Sequence, residues 1–147
     1  MDEQAKKVLS RLEAQCSRRE YCTGDVLSKA VKALDGNADQ AAEVLDSLIK
    51  DGFVSDGRYA SAYAREKAQI DGWGPIKIRH ALSVKGIGRE VIDAALQEVD
   101  DPAAMARLER LLASKARSLE GDPQARLKLI RFALSRGYEY SQVQKLV

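Results

Sequence analysis

Sliding this chain of 147 residues against itself by 51 positions lays one pattern over a second copy. Ile78 falls on Leu129, Ala81 on Phe132, Leu82 on Ala133, Lys85 on Arg136, Gly86 on Gly137, Ile87 on Tyr138, Ile92 on Val143, Ala95 on Leu146 and Leu96 on Val147. A core stripe, a terminal base and a glycine stop recur together, which scattered apolar coincidence would rarely produce. Apolar residues return every three or four positions along nearly the whole chain, and strand-like alternation never persists. That period is helical. The chain reads as all-α, with nine helices in three groups of three. Units of this size cannot each bury a full core, so the expectation is three tandem three-helix repeats stacked into an elongated, curved body. The repeats are expected at residues 1–53, 54–100 and 101–147.

Local signals place the helices. Ala5, Val8, Leu9, Leu12 and Cys16 form the stripe of a first helix over Gln4–Arg19, and Leu27, Ala30, Val31 and Leu34 that of a second. In this register Leu27, Ala30 and Val31 stand where Ile78, Ala81 and Leu82 stand in the middle unit, with a longer turn around Asp35–Asn37. Asn37 with Gln40 resembles a capping box ahead of a third helix, which Gly52 stops. Asp56 is the expected cap of a fourth helix with a buried stripe of Tyr59, Ala62, Tyr63 and Ile70. In Gly72-Trp73-Gly74-Pro75 the proline opens a fifth helix at a position that tolerates a missing amide hydrogen, and Gly86 closes it. Helix six runs over Arg89–Val99, and Asp101-Pro102 and Asp122-Pro123 are expected to open helices seven and eight. Gly137 ends helix eight, and Val143, Leu146 and Val147 face inward from a short ninth.

Composition narrows the function. With 45% hydrophobic and 31% charged residues the chain has a folded, soluble balance. No apolar run approaches the roughly 18 residues of a membrane span, and the first ten residues lack a secretory h-region, so a cytoplasmic location is expected. Cys16 and Cys22 lie far from the only histidine, His80, and form no CxxC. Neither a zinc set nor a Cys-His dyad is implied, and both cysteines read as free thiols. There is no phosphate-binding glycine loop, GxSxG elbow or HExxH motif. The tightest acidic pair, Asp100-Asp101, looks like a helix cap before Pro102. No catalysis, metal or cofactor is expected.

Charge is distributed unevenly. Within Arg58–Arg89 seven bases, Arg58, Arg65, Lys67, Lys77, Arg79, Lys85 and Arg89, face two acids, Glu66 and Asp71, an excess of +5. Residues 1–57 carry −3 and residues 90–147 are neutral, so the overall +2 conceals a basic middle. Such asymmetry suits a face that meets polyanions. Arg58 and Arg65 lie two turns apart, within about 20° on a helical wheel, and Lys77 and Arg79 flank the inward Ile78. Guanidinium groups offer paired hydrogen bonds to phosphate or carboxylate, and lysines supply point charge. The blander reading is that these bases solvate exposed faces. Trp73 could stack on a base or a partner, although a tryptophan at a turn more often plugs the gap between helices. Tyr59 and Tyr63 read more simply as core, and His80 as exposed.

Asp56-Gly57-Arg58-Tyr59-Ala60, then Tyr63, Arg65, Gly72-Trp73-Gly74-Pro75, Ile78-Arg79, Leu82 and Lys85-Gly86-Ile87 resemble the central repeat of the bacterial RecX family. Arg131-Phe132-Ala133-Leu134 with Arg136-Gly137-Tyr138 resembles that family's third repeat. Two positions depart from the pattern: Asp71 stands where relatives often carry a base, and Gly88 where a serine cap is common. The resemblance implies three tandem three-helix repeats and a noncatalytic regulator of RecA. Such a protein lies in the groove of the RecA filament on single-stranded DNA, limiting its growth and its ATPase, strand-exchange and co-protease activities. The site residues expected on this basis are Arg58, Arg65, Lys67, Trp73, Lys77, Arg79, Lys85 and Arg89. The expected partner is the RecA nucleoprotein filament, with single-stranded DNA as a further contact and a monomer when free. A single-strand binder acting without RecA and a purely structural helical adaptor are the alternatives.

Overall fold

In the computed structural model, which describes residues 1–147, every regular element is helical. The helices are α1 Glu3–Arg18, α2 Thr23–Ala33, α3 Ala38–Lys50, α4 Asp56–Gln69, α5 Pro75–Val84, α6 Arg89–Val99, α7 Pro102–Ser118, α8 Ala125–Ser135 and α9 Tyr140–Gln144. They form three tandem three-helix repeats, each around its own apolar cluster. The first cluster centres on Val8, Leu12, Val26, Val44 and Leu48, with Val54 added from the following linker. The second centres on Ala60, Ala64, Ile78, Leu82 and Ile92, and it takes in Cys22 from ahead of α2. The third is the smallest, with six buried residues that include Leu108, Leu112, Ala133 and Val143. A core that small leaves the third repeat dependent on its neighbour. The accessible surface is 8881 Å², against about 7,450 Å² for a compact monomer of this mass. The body is elongated.

The repeats meet through one joint used twice: the start of a middle helix docks on the corner that ends the next repeat's middle helix. At joint one, Gly24 at the start of α2 faces the Lys85 carbonyl, which a Cβ would meet at 3.2 Å. Asp56 accepts there from the Thr23 amide at 2.8 Å and from its hydroxyl at 2.9 Å. At joint two, the Gly74 amide donates to the Arg136 carbonyl at 2.7 Å and the Ile76 amide to the Gly137 carbonyl at 2.9 Å. The Tyr138 hydroxyl donates to the Gly72 carbonyl at 3.1 Å. A Cβ on Gly74 would sit 2.5 Å from the Gly137 and Tyr138 backbone, and one on Gly137, at φ +92°, would strike Lys77. Gly24, Gly74 and Gly137 allow this approach, whereas Gly86 has open space and serves only its left-handed turn.

Several local expectations are corrected. Asp56 does not cap α4. Ser55 does, accepting from the Arg58 amide at 3.2 Å, which frees Asp56 to hold α2 of the preceding repeat. The stripe that α4 buries is Ala60, Ala64 and Ala68, while Tyr59 and Tyr63 are half-buried at its flank and Ile70, past the last turn, is 78% exposed. In α2 the inward residues are Val26, Ala30 and Leu34, so the true equivalents of Ile78 and Leu82 are Val26 and Ala30 and the register is shifted by one from Leu27. Asn37 caps α3 as expected, but the Gln40 side chain turns to Asp2 rather than back to Asn37. Asp122 holds a turn through the Gln124 amide, and α8 begins only at Ala125. Cys16 and Cys22 are free and buried, and burial pushes both thiols above their ordinary pKa.

Gly74→Ala and Gly137→Ala are each expected to cost roughly 1–3 kcal/mol, through overpacking at the first and added left-handed strain at the second. Gly88 has open space and an extended φ of −66° at the start of α6. Gly88→Ser should therefore add a few tenths of a kcal/mol, about the worth of a serine cap over glycine. Urea unfolding of the three variants checks both directions.

Candidate partner interface

α4 carries the expected cations on two separate flanks of its alanine stripe. At about 100° per residue, Tyr59, Tyr63 and Lys67 lie on one flank and Arg58, Ser61 and Arg65 on the other. The first flank continues across the Gly72–Pro75 corner. Tyr59 and Tyr63 are stacked with centroids 5.8 Å apart, and Tyr63 meets Trp73 edge-on at 6.3 Å. The Lys67 ammonium lies 4.8 Å from the Trp73 ring centre and the Lys77 ammonium 4.4 Å from it. Trp73 is thus a half-buried plug against the second core, and it also carries two cations. Cation–π contacts of this kind are worth about 0.5–1 kcal/mol at exposed sites.

The second flank is tied to carboxylates. Arg58 pairs with Glu20 at 2.9 Å and donates to the Gly52 carbonyl at 2.7 Å. Glu98 of α6 accepts from Ser61 at 2.9 Å and from Arg65 at 3.4 Å. Arg79 reaches Asp93 at 2.6 Å, Lys85 reaches Asp25 at 2.9 Å and Lys67 reaches Asp71 at 3.2 Å. Of the eight expected site residues, Lys67, Trp73 and Lys77 are brought together, Lys85 lies near Tyr59, and Arg58, Arg65 and Arg79 point elsewhere. Arg89 opens α6 without an acidic partner. Counting charge by segment missed this division, because Glu20, Asp25, Asp93 and Glu98 lie outside the segment counted.

The structure adds cation-flanked aromatics that charge counting also missed. Tyr21, which precedes α2 as Trp73 precedes α5, has Arg19 at 4.5 Å and Lys29 at 5.3 Å over its ring. Phe132 of α8 has Lys115 at 5.2 Å and Arg136 at 5.0 Å. Each repeat therefore presents one aromatic ring between two cations. Tyr21 was legible as the equivalent of Trp73, one step outside the register read from Leu27.

Tandem three-helix repeats joined head to tail, each with a cation-flanked ring, define a helical-repeat protein. Comparison with known proteins places it more closely. The second three-helix domain of RecX matches residues 55–96, and the third three-helix domain of RecX matches residues 100–147. The regulatory protein RecX of Chromohalobacter salexigens is 35% identical over 130 residues, covering 87% of this chain and 82% of the relative. That of Pseudomonas entomophila is 33% identical over 114 residues, covering 76% and 72%. A crystal structure of regulatory protein RecX superposes with a TM-score of 0.87 at 25% identity, over 98% of this chain and 71% of that one. RecX from Lactobacillus salivarius shares the fold, with a TM-score of 0.86 at 21% identity over 99% and 96%. The chain belongs to the RecX family, and a regulatory role goes with it.

The Lys85–Asp25 pair makes joint one sensitive to acid. Lys85 holds the Asp25 carboxyl below its ordinary 3.8, and Asp25 raises Lys85 above 10.5. A depressed carboxylate adds stability above its unfolded pKa and loses it as pH falls through the folded one. Asp25→Asn should thus lower Tm at pH 7, and the difference should vanish as pH falls below the carboxylate range. Both partners are well exposed, so the pair is worth less than about 1 kcal/mol. Thermal melts between pH 2 and pH 7 check this.

Proposed function

We propose that this chain is a noncatalytic regulator that binds the RecA filament on single-stranded DNA and limits its growth, and with it ATPase, strand-exchange and co-protease activity. The single observation that carries the reading, beyond family membership, is the one cation-flanked aromatic ring in each of three serially joined repeats. A periodic partner meets such a chain at several weak stations, and contacts on one scaffold add to high avidity. Arg58, Arg65, Lys67, Arg79 and Lys85 support it as exchangeable cations. Their pairs are solvent-exposed, and pairs of that kind are worth about 0–1 kcal/mol, so a phosphate or acidic side chain replaces the internal partner at little cost. The regulator acts in the cytoplasm as a monomer when free.

Purified protein added below one equivalent to RecA on single-stranded DNA is expected to lower ATP turnover, and no change at equimolar protein would overturn the proposal. Lys67→Glu combined with Lys77→Glu should weaken the inhibition at least tenfold with helicity unchanged, as read by circular dichroism alongside the same turnover measurement.

Direct single-strand binding without RecA is the second reading, favoured by rings and cations arranged as in stacking platforms. Lys77 and Arg89 have no carboxylate partner, and Lys67 is the cation that Trp73 already positions. With two or three phosphates neutralised, log affinity for a naked strand should fall with log salt at a slope between about −1.4 and −2.1. A flat response in anisotropy titrations excludes direct DNA binding.

A further inference from the structure

Joint two encloses a cleft of about 400 Å³, walled by α4, α5 and α6 on one side and by α7 and α9 on the other. That volume lies within the range of about 300–1,000 Å³ typical of sites that accept a ligand or an anchoring side chain. Trp73, Ile78 and Leu96 line it together with Arg107. The Arg107 side chain is only 15% exposed. It makes a single hydrogen bond, to the Val99 carbonyl at 3.2 Å, and Asp101 at 3.8 Å is beyond hydrogen-bond reach. A guanidinium carries five N–H donors, so most of those on Arg107 have no protein acceptor. They are not sealed off, since Gln15 Oε1 is the one buried side-chain nitrogen or oxygen without a partner, so these donors stay open to the cleft, where an incoming carbonyl can accept from them.

The repeat shows where this arrangement comes from. The buried Ala60 and Ala64 of α4 correspond to the buried Leu108 and Leu112 of α7, which sets Arg107 where Tyr59 stands one repeat earlier. Tyr59 packs its ring on the second core, beside the residues of joint one. At joint two a guanidinium takes the place of that ring and faces the cleft.

We propose that this cleft receives an apolar side chain carried on a segment of a partner polypeptide, with a backbone carbonyl of that segment accepting from Arg107; this rests on the reading that the chain binds a protein filament. Charge selects a neutral occupant. The lining carries three acids, Asp93, Asp100 and Glu139, against two bases, Arg79 and Arg107, and of these acids Asp100 and Glu139 have no basic partner. A phosphate or carboxylate would be repelled by those two acids, whereas a peptide group can give its N–H to one of them and its carbonyl to Arg107.

Two variants close the cleft from opposite sides. Arg107→Tyr restores the residue used at joint one, and Gln97→Phe places a ring from the exposed face of α6. Both are expected to bind a RecA filament on single-stranded DNA at least tenfold more weakly than the natural chain, with Tm preserved and naked-strand affinity within twofold. Wild-type affinity in Gln97→Phe would overturn the proposal, and that variant decides the matter should Arg107→Tyr fail to fold. A separate arm uses the free protein, whose single tryptophan is Trp73. N-acetyl-leucine methylamide should shift the Trp73 indole resonance saturably in the natural chain and not in Gln97→Phe. No saturable shift overturns the cleft assignment even where the filament is bound, and a saturable shift without filament binding upholds the cleft while removing the filament reading.

Discussion

Two main chains meet at joint two with no side chain between them. Gly74 lies so close to the Gly137–Tyr138 backbone that a methyl group would already overlap it, and two amide-to-carbonyl bonds cross the gap. Hydrogen bonds of this kind have the directionality to fix both the distance and the rotation between neighbouring repeats. The third repeat, with its small core, depends on that attachment. So does the Trp73 corner, because the backbone that carries the indole is itself part of the joint. The cleft lined by Arg107 is what remains beside a contact that cannot come any closer.

Joint one solves the same geometric problem with side chains. Asp56 caps the start of α2, Arg58 reaches Glu20 and Lys85 reaches Asp25. Ionic ties at the surface weaken with salt, and backbone bonds across a close approach do not to the same degree. The chain therefore combines a firm attachment between its second and third repeats with one between its first and second that answers to ionic conditions. The cations that make those ties are among the ones a polyanion would seek, so partner binding and repeat docking draw on the same side chains.

How far the sequence could be read depended on which physical term placed each residue. The 51-residue offset was visible because Lys85-Gly86 and Arg136-Gly137 serve the same joint, and a left-handed stop leaves a glycine wherever it occurs. The inward stripe of α4 was misread because Tyr59 and Tyr63 are more apolar in bulk than the alanines beside them, while close packing of α4 on α6 selects the smaller side chains. The basic middle was legible as a surplus of charge, but its grouping was not. Glu20, Asp25 and Glu98 are separated from Arg58, Lys85 and Arg65 by more than thirty residues; the stacking of repeats brings the first two pairs within reach, and the packing of α4 on α6 inside the second repeat brings the third. Arg107 carried no signal of its own, since its environment is made by residues from both repeats.

Taken alone, the sequence determined the elements and their repetition: helical period, proline starts and glycine stops follow from short-range sterics and hydrogen bonding. It also fixed the resemblance to the RecX family, because the residues of the Gly72–Pro75 corner are specific as a set. Tertiary structure decided which cations stand together, which are neutralised by a neighbouring repeat, and where a cleft opens. Those outcomes depend on the distance and rotation between repeats, quantities set by a handful of contacts between residues remote in the chain, and helical periodicity within any one segment does not encode them.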